Sequence, residues 1–314
     1  MSLIAVTGAA GRIATAIRPL LIEAGHTLVL CDVAEVPGAP GLPGAPGTLG
    51  RTGTAGSPGT AGAPDERVVR ADLRDIDAHT AAFTGADLVV HLGALADERP
   101  WPDLLAVNVE GTRAVCEAAR LAGVDRMLLA SSVHAAGYLP ADSTDARRGM
   151  PLPAPDTYYG VSKAAVEALG GLFAGRFAMT VVSARIMAFS SAPVGAYGLH
   201  WWLSPADMVR LVLATLTTGA GGHHVVWGVS RNTRSQVDLR PGLAIGFDPK
   251  DDAEVHAGRI ERQGPAVSPR LLGGVFADDD YRLGEPHGGR AAPHAAAAVP
   301  HGAATPRGGS AAPR

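Results

Sequence analysis

Apolar and polar residues follow two alternating patterns along this chain. Short apolar runs predict β-strands, and segments with an apolar residue at every third or fourth position predict helices between them. The predicted strands cover residues 3–7, 27–31, 67–71, 88–92, 126–130, 179–185 and 224–227. The predicted helices cover residues 13–24, 75–83, 104–122, 159–177 and 204–216. Strands that alternate with helices pair in parallel, because each helix carries the chain back across the sheet. The pattern therefore predicts an α/β fold with a Rossmann-type, doubly wound parallel sheet.

The elements after residue 185 are predicted to form a small C-terminal substrate-binding lobe. Ser204 and Pro205 are typical of the N-cap and the first position of a helix in that lobe. We expect one domain over residues 1–285, interrupted by a low-complexity segment at 37–64. Residues 286–314 contain no aromatic residue, isoleucine or leucine, which predicts a disordered tail.

Glycine occupies every third position from Gly38 to Gly62. This period is typical of collagen, in which only glycine fits at the axis of three chains. The run is short and its two ends must return to neighbouring strands. We therefore favour a flexible surface loop over a collagen-like trimer.

Charge and composition exclude several classes of partner. The 314 residues include 27 basic and 30 acidic side chains, a net charge of −3 that provides no basic surface for nucleic acid or anionic lipid. The chain shows no basic leader segment, and no apolar span is long enough to cross a bilayer. Cys31 and Cys116 lie in apolar segments, which favours reduced core thiols over a disulfide. We predict a cytoplasmic protein that binds a small molecule, with homo-oligomer formation left open.

The segment TGAAGRIA joins the first predicted strand to the first helix. In this context Gly8 permits a tight turn, Gly11 allows the backbone to approach a pyrophosphate, and Ala14 allows close helix packing. Asp32 follows the second strand, where a carboxylate accepts hydrogen bonds from a ribose 2′-hydroxyl and repels a 2′-phosphate. The sequence therefore predicts NAD as the cofactor and disfavours NADP.

Further residues at the predicted strand ends complete the cofactor groove. Asp72 either reaches the adenine amino group or caps a turn, and the sequence does not separate these alternatives. The predicted cofactor-binding residues are Gly8, Gly11, Arg12, Ile13, Asp32, Asp72, Leu73, Leu92, Gly93, Ala94, Tyr159 and Lys163.

Tyr159 and Lys163 lie four residues apart, and therefore on one face of a predicted helix. A neighbouring ammonium favours the phenolate, so this pair can remove a proton from a substrate hydroxyl while a hydride leaves its carbon. Ser132 ends a strand at the sheet edge where ligands bind in such folds, and we predict that its hydroxyl binds the reacting oxygen. His134 either contacts substrate or caps the turn. The predicted catalytic residues are thus Tyr159, Lys163 and Ser132.

Taken in order, the motifs TGAAGRIA, HLGA, NVEGT, SSVHAAGY and YYGVSK resemble the extended short-chain dehydrogenase/reductases of the NAD-dependent epimerase/dehydratase type. The segments WLSPADMVRLVLA and RLLGGVFADDD are similar to uronate dehydrogenases. This resemblance implies that Tyr159 is the base, that Lys163 binds the nicotinamide ribose and lowers the tyrosine pKa, and that Ser132 assists. It also implies hydride transfer from the anomeric carbon of a cyclic hexuronic acid, which yields an aldarolactone.

The substrate side departs from the uronate dehydrogenase pattern. Val133 replaces an asparagine, Ala188 replaces a serine, and Tyr197 stands where an arginine would bind the sugar carboxylate. Because a carboxylate without a paired cation is costly to bury, we expect a neutral or differently charged sugar-like substrate. The predicted substrate-binding residues are Ser132, His134 and Tyr197.

No metal site is predicted, since His223 and His224 are adjacent and would face opposite sides of a strand. Two alternatives to a sugar dehydrogenase stay open. One is a nucleotide-sugar epimerase or dehydratase, and the other is a non-catalytic NAD-binding regulatory protein.

Overall fold

A computed structural model describes residues 1–38, 65–143, 149–262 and 270–286. Nearly all of the predicted glycine-rich loop at 37–64 and of the predicted tail at 286–314 lies outside the described residues. The described residues contain no helix that is long and apolar enough to span a membrane.

One parallel sheet organises the described part of the chain. Its strands are β1 (Leu3–Thr7), β2 (Thr27–Asp32), β3 (Glu66–Arg70), β4 (Leu88–His91), β5 (Arg126–Ser132), β6 (Thr180–Ile186) and β9 (Gly222–Gly228). They follow the order β3-β2-β1-β4-β5-β6-β9, and every neighbouring pair is parallel. A separate parallel pair joins β7 (Ala188–Phe189) to β8 (Trp202–Leu203). The predicted doubly wound fold is confirmed.

Strand order reverses between β1 and β4, because β1 pairs with both β2 and β4. The connections that leave the carboxyl ends of these two strands diverge to opposite sides of the sheet. This divergence opens a crevice, which is where ligands bind in doubly wound sheets.

Helices cover both faces of the sheet. They are α1 (Arg12–Glu23), α2 (Ile76–Phe83), α3 (Trp101–Leu104), α4 (Gly111–Leu121), α5 (Tyr158–Phe177), α6 (Gly195–Trp201), α7 (Pro205–Thr217), α8 (Arg240–Ala244) and α9 (Ala257–Glu261). Residues 104–122, predicted as one helix, instead form the end of α3, a π-helical segment at Leu105–Glu110, and α4. The π-helical segment carries Asn108, whose buried amide is bound on both sides as described below.

Two apolar layers sandwich the sheet. One contains α1 and α7 side chains such as Ile17 and Leu211, and the other contains α2, α4 and α5 side chains such as Phe83 and Phe173. The prediction that residues 204–216 and 224–227 belong to the small lobe is wrong. β9 is the seventh strand of the main sheet, and α7 packs on α1, because its apolar face completes the core over β4 and β5. Ser204 does cap α7, since its hydroxyl accepts the Asp207 N–H at 2.9 Å.

The small lobe is built from the later, shorter elements. One part of it, residues 270–286, is called the covering segment here because it lies against the loops that follow β5 and β4. Leu272 N donates to Leu139 O at 2.9 Å, Gly273 N donates to Gly137 O at 2.8 Å, and Gly284 N donates to a Glu98 carboxylate oxygen at 2.7 Å. These bonds hold the covering segment across the carboxyl edge of the sheet.

Candidate active site

The glycine turn after β1 lies directly against the turn after β4. Gly8 adopts φ +69°, and a Cβ atom there would lie 2.5 Å from Gly93 N. Only glycine fits this close approach. The adjoining groove has a volume of about 300 Å³ and is lined by Gly8, Gly11, Asp32, Val33, Ala71, Asp72, Leu73, Arg74, Leu92, Gly93, Ala94, Leu95, Ala106 and Val107.

Asp32 is fixed in this groove by two backbone donors. Its carboxylate accepts the Ala10 N–H at 2.9 Å and the Ala34 N–H at 2.9 Å. Each carboxylate oxygen has a second lone pair for a ribose hydroxyl. The narrow glycine turn, the start of α1 and this carboxylate together fit a dinucleotide.

Most of the predicted cofactor residues line the groove, and Asp72 is held as a turn-capping residue. Its carboxylate accepts the Arg74 N–H at 2.9 Å and binds the Arg74 guanidinium at 2.8 and 3.0 Å, which lowers the Asp72 pKa to about 2. The groove also contains Arg74, which sequence reasoning missed. Four predicted cofactor residues are not among those that line the groove: Arg12 and Ile13, which begin α1, and Tyr159 and Lys163 in α5.

The structure brings Ser132, Tyr159 and Lys163 together at the carboxyl end of β5. Tyr159 is buried and its phenol is hydrogen-bonded to the Ser132 side chain. Lys163 Nζ lies 5.6 Å from the Tyr159 ring centre and donates to Ala130 O at 2.8 Å. The predicted clustering of these side chains is thus what the fold produces.

Burial shifts the pKa values of both Tyr159 and Lys163. Desolvation of the phenol, together with the nearby carboxylates of Asp97 and Asp156, outweighs the hydrogen bond from Ser132 and raises the Tyr159 pKa to about 12. Desolvation also lowers the Lys163 pKa to about 8. The sequence predicts a lowered tyrosine pKa, and the protein by itself has the opposite shift. The four-residue spacing in the sequence indicates that the Lys163 ammonium lies near Tyr159. It does not indicate that burial removes water from the Tyr159 phenol.

The N-terminus of α5 is capped twice. The Thr157 hydroxyl accepts the Gly160 N–H at 3.0 Å, and the buried Glu98 carboxylate accepts the Tyr159 N–H at 2.7 Å. Glu98 also accepts the Gly284 N–H, so it joins the catalytic helix to the covering segment. Sequence reasoning missed Glu98, because its partners lie far from it along the chain.

His134 lies beside Tyr159 and is held by a buried carboxylate. Its Nδ1 lies 2.8 Å from an Asp156 carboxylate oxygen, and its ring centre lies 5.7 Å from that of Tyr159. Phe276 from the covering segment also packs against this ring, with the ring centres 4.3 Å apart. In the neutral tautomer that donates to Asp156, the Nε2 atom of His134 is an acceptor. Asp156 and Phe276 were both missed from sequence.

Asn108 anchors the catalytic helix from the other side. Its amide accepts the Leu95 N–H at 2.8 Å and donates to the Ser162 hydroxyl at 2.9 Å, and Ser162 in turn donates to Tyr159 O at 2.7 Å. The amide therefore connects the loop after β4 to the turn that carries Tyr159.

A buried ion pair lies one helical turn beyond Lys163. Arg185 Nε and Nη2 donate to the Glu167 carboxylate at 2.7 and 2.8 Å, and the Ser131 hydroxyl donates to the same carboxylate at 2.7 Å. Ser131 precedes Ser132, so this network fixes the end of β5 against α5.

The remaining predicted residues occupy the rim or the core. Tyr197 stacks on Trp201 at 5.1 Å between ring centres, next to Gly274 of the covering segment, and no contact joins it to Tyr159. Val133 is buried.

Among the described residues no cluster of three or more metal-ligating side chains occurs. Cys31 and Cys116 are buried and free, as predicted.

Known proteins share this fold and much of this sequence. The chain is 33% identical to a uronate dehydrogenase from Pseudomonas syringae pv. tomato, over 82% of this chain and 85% of that protein. It is 35% identical to an L-arabinose 1-dehydrogenase (NAD(P)(+)) from Haloferax volcanii, over 58% of this chain and 81% of that protein. A mutant uronate dehydrogenase from Agrobacterium tumefaciens complexed with NAD matches with a TM-score of 0.74 at 31% identity, over 90% of this chain and 99% of that chain.

The doubly wound sheet, the dinucleotide groove at its switch point and these relatives define an NAD-dependent dehydrogenase of the short-chain dehydrogenase/reductase class. The chain belongs to the NAD dependent epimerase/dehydratase family, whose sequence profile matches residues 4–235. The resemblance inferred from the motifs is confirmed.

Proposed function

We propose that this protein oxidises a sugar or sugar acid at its anomeric carbon and that Tyr159 is the base. The observation that carries the proposal is the position of Tyr159, Ser132 and Lys163 at the carboxyl end of β5, beside a groove that fits a dinucleotide. Relatives named as uronate and L-arabinose dehydrogenases support the substrate class.

In this proposal the chain's own residues position and deprotonate the sugar hydroxyl. Ser132, hydrogen-bonded to the Tyr159 phenol, binds the reacting oxygen, and the Tyr159 oxygen takes its proton. Bound NAD would supply the hydride acceptor and a positive nicotinamide charge that favours the Tyr159 phenolate. Lys163 is anchored on Ala130 O and would hold the nicotinamide ribose. Covering-segment residues such as Phe276 exclude water from this side of the site.

The groove residues are proposed to hold the cofactor. Asp32 binds the adenine ribose hydroxyls, and the start of α1 after Gly11 receives the pyrophosphate. Leu73, Leu92, Gly93 and Ala94 form the groove walls.

Two buried free cysteines support a reducing, cytoplasmic location.

The test is NADH formation by the purified full-length chain with a panel of aldoses, hexuronates and nucleotide sugars. We expect NADH with at least one free sugar and a loss of about 10²–10⁴-fold in kcat for Tyr159→Phe. Tyr158→Phe is the matched control, because Tyr158 is its exposed neighbour and has no lysine four residues along. It should retain activity.

Calorimetry with NAD separates a lost base from a lost cofactor site. Tyr159→Phe should still bind NAD. NAD binding without turnover of any free sugar, or interconversion of nucleotide sugars without net NADH, would overturn the proposed function.

A further inference from the structure

His134 lies in the wall of the space where the reacting oxygen is proposed to bind. Its backbone N–H donates to the Ser132 hydroxyl at 3.3 Å, and its ring centre lies 5.7 Å from that of Tyr159. The Ser132 side chain is itself hydrogen-bonded to the Tyr159 phenol. The imidazole is therefore beside the two side chains that are proposed to bind and deprotonate the substrate.

The carboxylate in contact with this imidazole belongs to Asp156, whose side chain has no exposed surface. Its Oδ2 atom lies 2.8 Å from His134 Nδ1, and its Oδ1 atom accepts the Thr157 hydroxyl at 3.1 Å. Within the described ranges no lysine or arginine forms an ion pair with Asp156. His134 is therefore the basic group that faces this buried charge.

Two glycines from different segments make room for the Asp156 carboxylate. Gly137 belongs to the loop after β5 and Gly273 to the covering segment, and Gly273 N donates to Gly137 O at 2.8 Å. A Cβ atom at either position would lie 1.9 Å from Asp156 Oδ2. A methyl group at either glycine would thus push the carboxylate away from His134.

The contact with Asp156 determines which nitrogen of a neutral His134 ring carries the proton. An ionised carboxylate only accepts hydrogen bonds, so Nδ1 is the donor and Nε2 keeps its lone pair. No hydrogen bond in the described part of the chain involves Nε2, and 15% of the His134 side chain is exposed. The Nε2 atom can therefore accept a hydrogen bond from a bound molecule, and a sugar carries several hydroxyl donors.

We propose that Asp156 is a positioning residue, which holds His134 in the tautomer whose Nε2 accepts a hydrogen bond from a second hydroxyl of the substrate. This inference rests on the proposed function, in which Tyr159 deprotonates the first hydroxyl. A sugar that lacks the second hydroxyl leaves the imidazole acceptor unpaired, and its kcat/KM falls for this reason.

Nitrogen NMR of the isotope-labelled full-length chain with NAD bound tests the tautomer. The spectrum is recorded at about pH 8, above the ordinary histidine pKa, and His134→Gln identifies the His134 signals by their loss. We expect a proton on Nδ1 and none on Nε2 in the wild type. Asp156→Ala removes the acceptor of the Nδ1 proton and Gly137→Ala displaces it, so both variants should lose this preference.

Kinetics test whether the tautomer serves substrate binding. The best free sugar of the panel is compared with each of its monodeoxy analogues, because the ratio of their kcat/KM values cancels any change in the Tyr159 pKa. We expect one analogue to be about 10-fold poorer in the wild type, the size of one lost hydrogen bond. For that analogue the ratio should fall toward one in Asp156→Ala and in Gly137→Ala.

Gly175→Ala is the matched control for Gly137→Ala. It adds the same methyl group to an exposed glycine of α5 that has open space around it. This variant should keep the wild-type tautomer and the wild-type ratios.

A wild-type His134 that carries a proton on Nε2 would overturn this inference while leaving the dehydrogenase function intact. Wild-type ratios for every analogue in Asp156→Ala and Gly137→Ala would overturn it as well. Unfolding midpoints show whether these variants are folded, and the wild-type spectrum decides the tautomer even if they are not. Absence of NADH with every sugar would instead remove the proposed function itself.

Discussion

At the scale of single residues, solvent exclusion governs the chemistry of this site. The Tyr159 phenol is surrounded by protein and lies near two carboxylates, which raises its pKa to about 12, and the pKa of the Lys163 ammonium falls to about 8 for the same reason of burial. A base with a raised pKa is mostly protonated at neutral pH. Its reactive form therefore grows as the pH rises.

This leads to a pH prediction for sugar oxidation. We expect kcat/KM to increase from about pH 6 upward, because the phenol loses its proton more readily. Asp97→Asn removes a charge that raises the Tyr159 pKa, so it should shift the rise to lower pH. The measurement is a pH profile of kcat/KM for both proteins, and a shift to higher pH in the variant would contradict the contribution of the Asp97 charge to the Tyr159 pKa.

A second residue-scale prediction concerns cofactor choice. Asp32→Ser removes the carboxylate proposed to bind the ribose, so NAD should bind roughly 10-fold more weakly and discrimination against NADP should fall. Calorimetric Kd values for both dinucleotides measure this. Glu35→Gln is the control, because Glu35 is exposed three residues further along and carries the same charge. Unaltered NADP discrimination in Asp32→Ser would refute the role of Asp32.

At the scale of elements, buried polar groups hold the catalytic helix in position. Asn108 binds α5 from the π-helical segment, Glu98 binds it from the loop after β4, and Glu167 binds it to β6 through Arg185. Each group bridges elements that are distant in sequence. The position of Tyr159 relative to Ser132 therefore depends on long-range polar contacts as well as on helical spacing.

The buried ion pair gives a stability prediction. Glu167→Gln leaves the Arg185 charge without its partner, and we expect the free energy of unfolding to fall by about 3–5 kcal/mol. The double variant Glu167→Leu/Arg185→Met should recover much of this loss, because it removes both charges. Urea unfolding measures both. Glu117→Gln, which breaks the more exposed pair with Arg120, should cost less than about 1 kcal/mol.

At the scale of the whole molecule, buried histidines couple folding to pH. His91 bridges Thr7 and Thr112 at 2.7 and 2.9 Å, and desolvation lowers its pKa to about 3. Desolvation also lowers the pKa of His79 and of His223. Between about pH 6.5 and about pH 3 the unfolded chain thus binds more protons than the folded protein.

We therefore expect full stability above about pH 6.5 and a progressive loss as the pH falls below it. The free energy of unfolding, measured in urea between about pH 7.5 and about pH 5, tests this. His91→Gln should flatten the slope, because glutamine takes up no proton in this range. An unchanged slope in this variant would show that His91 is not the coupled group.

Local pattern predicted much of this architecture. The alternation of strands and helices, the Gly8 turn, Asp32 at the end of β2 and the Tyr159–Lys163 spacing all arise from residues close together in the chain, and the structure contains each of them. Helix boundaries were predicted to within a residue or two except at the π-helical segment. In that segment Asn108 makes buried hydrogen bonds to Leu95 and Ser162, which are distant in the chain or outside the helix.

The sequence by itself thus determined the fold class, the cofactor turn and which side chains share one helix face, because these depend on local sterics and periodicity. Only the tertiary structure decided that β9 completes the main sheet, that Glu98 and Asp156 lie beside the Tyr159 site, and that the tyrosine pKa is raised. Desolvation and long-range hydrogen bonds depend on which distant segments the fold brings together, and no local pattern encodes that.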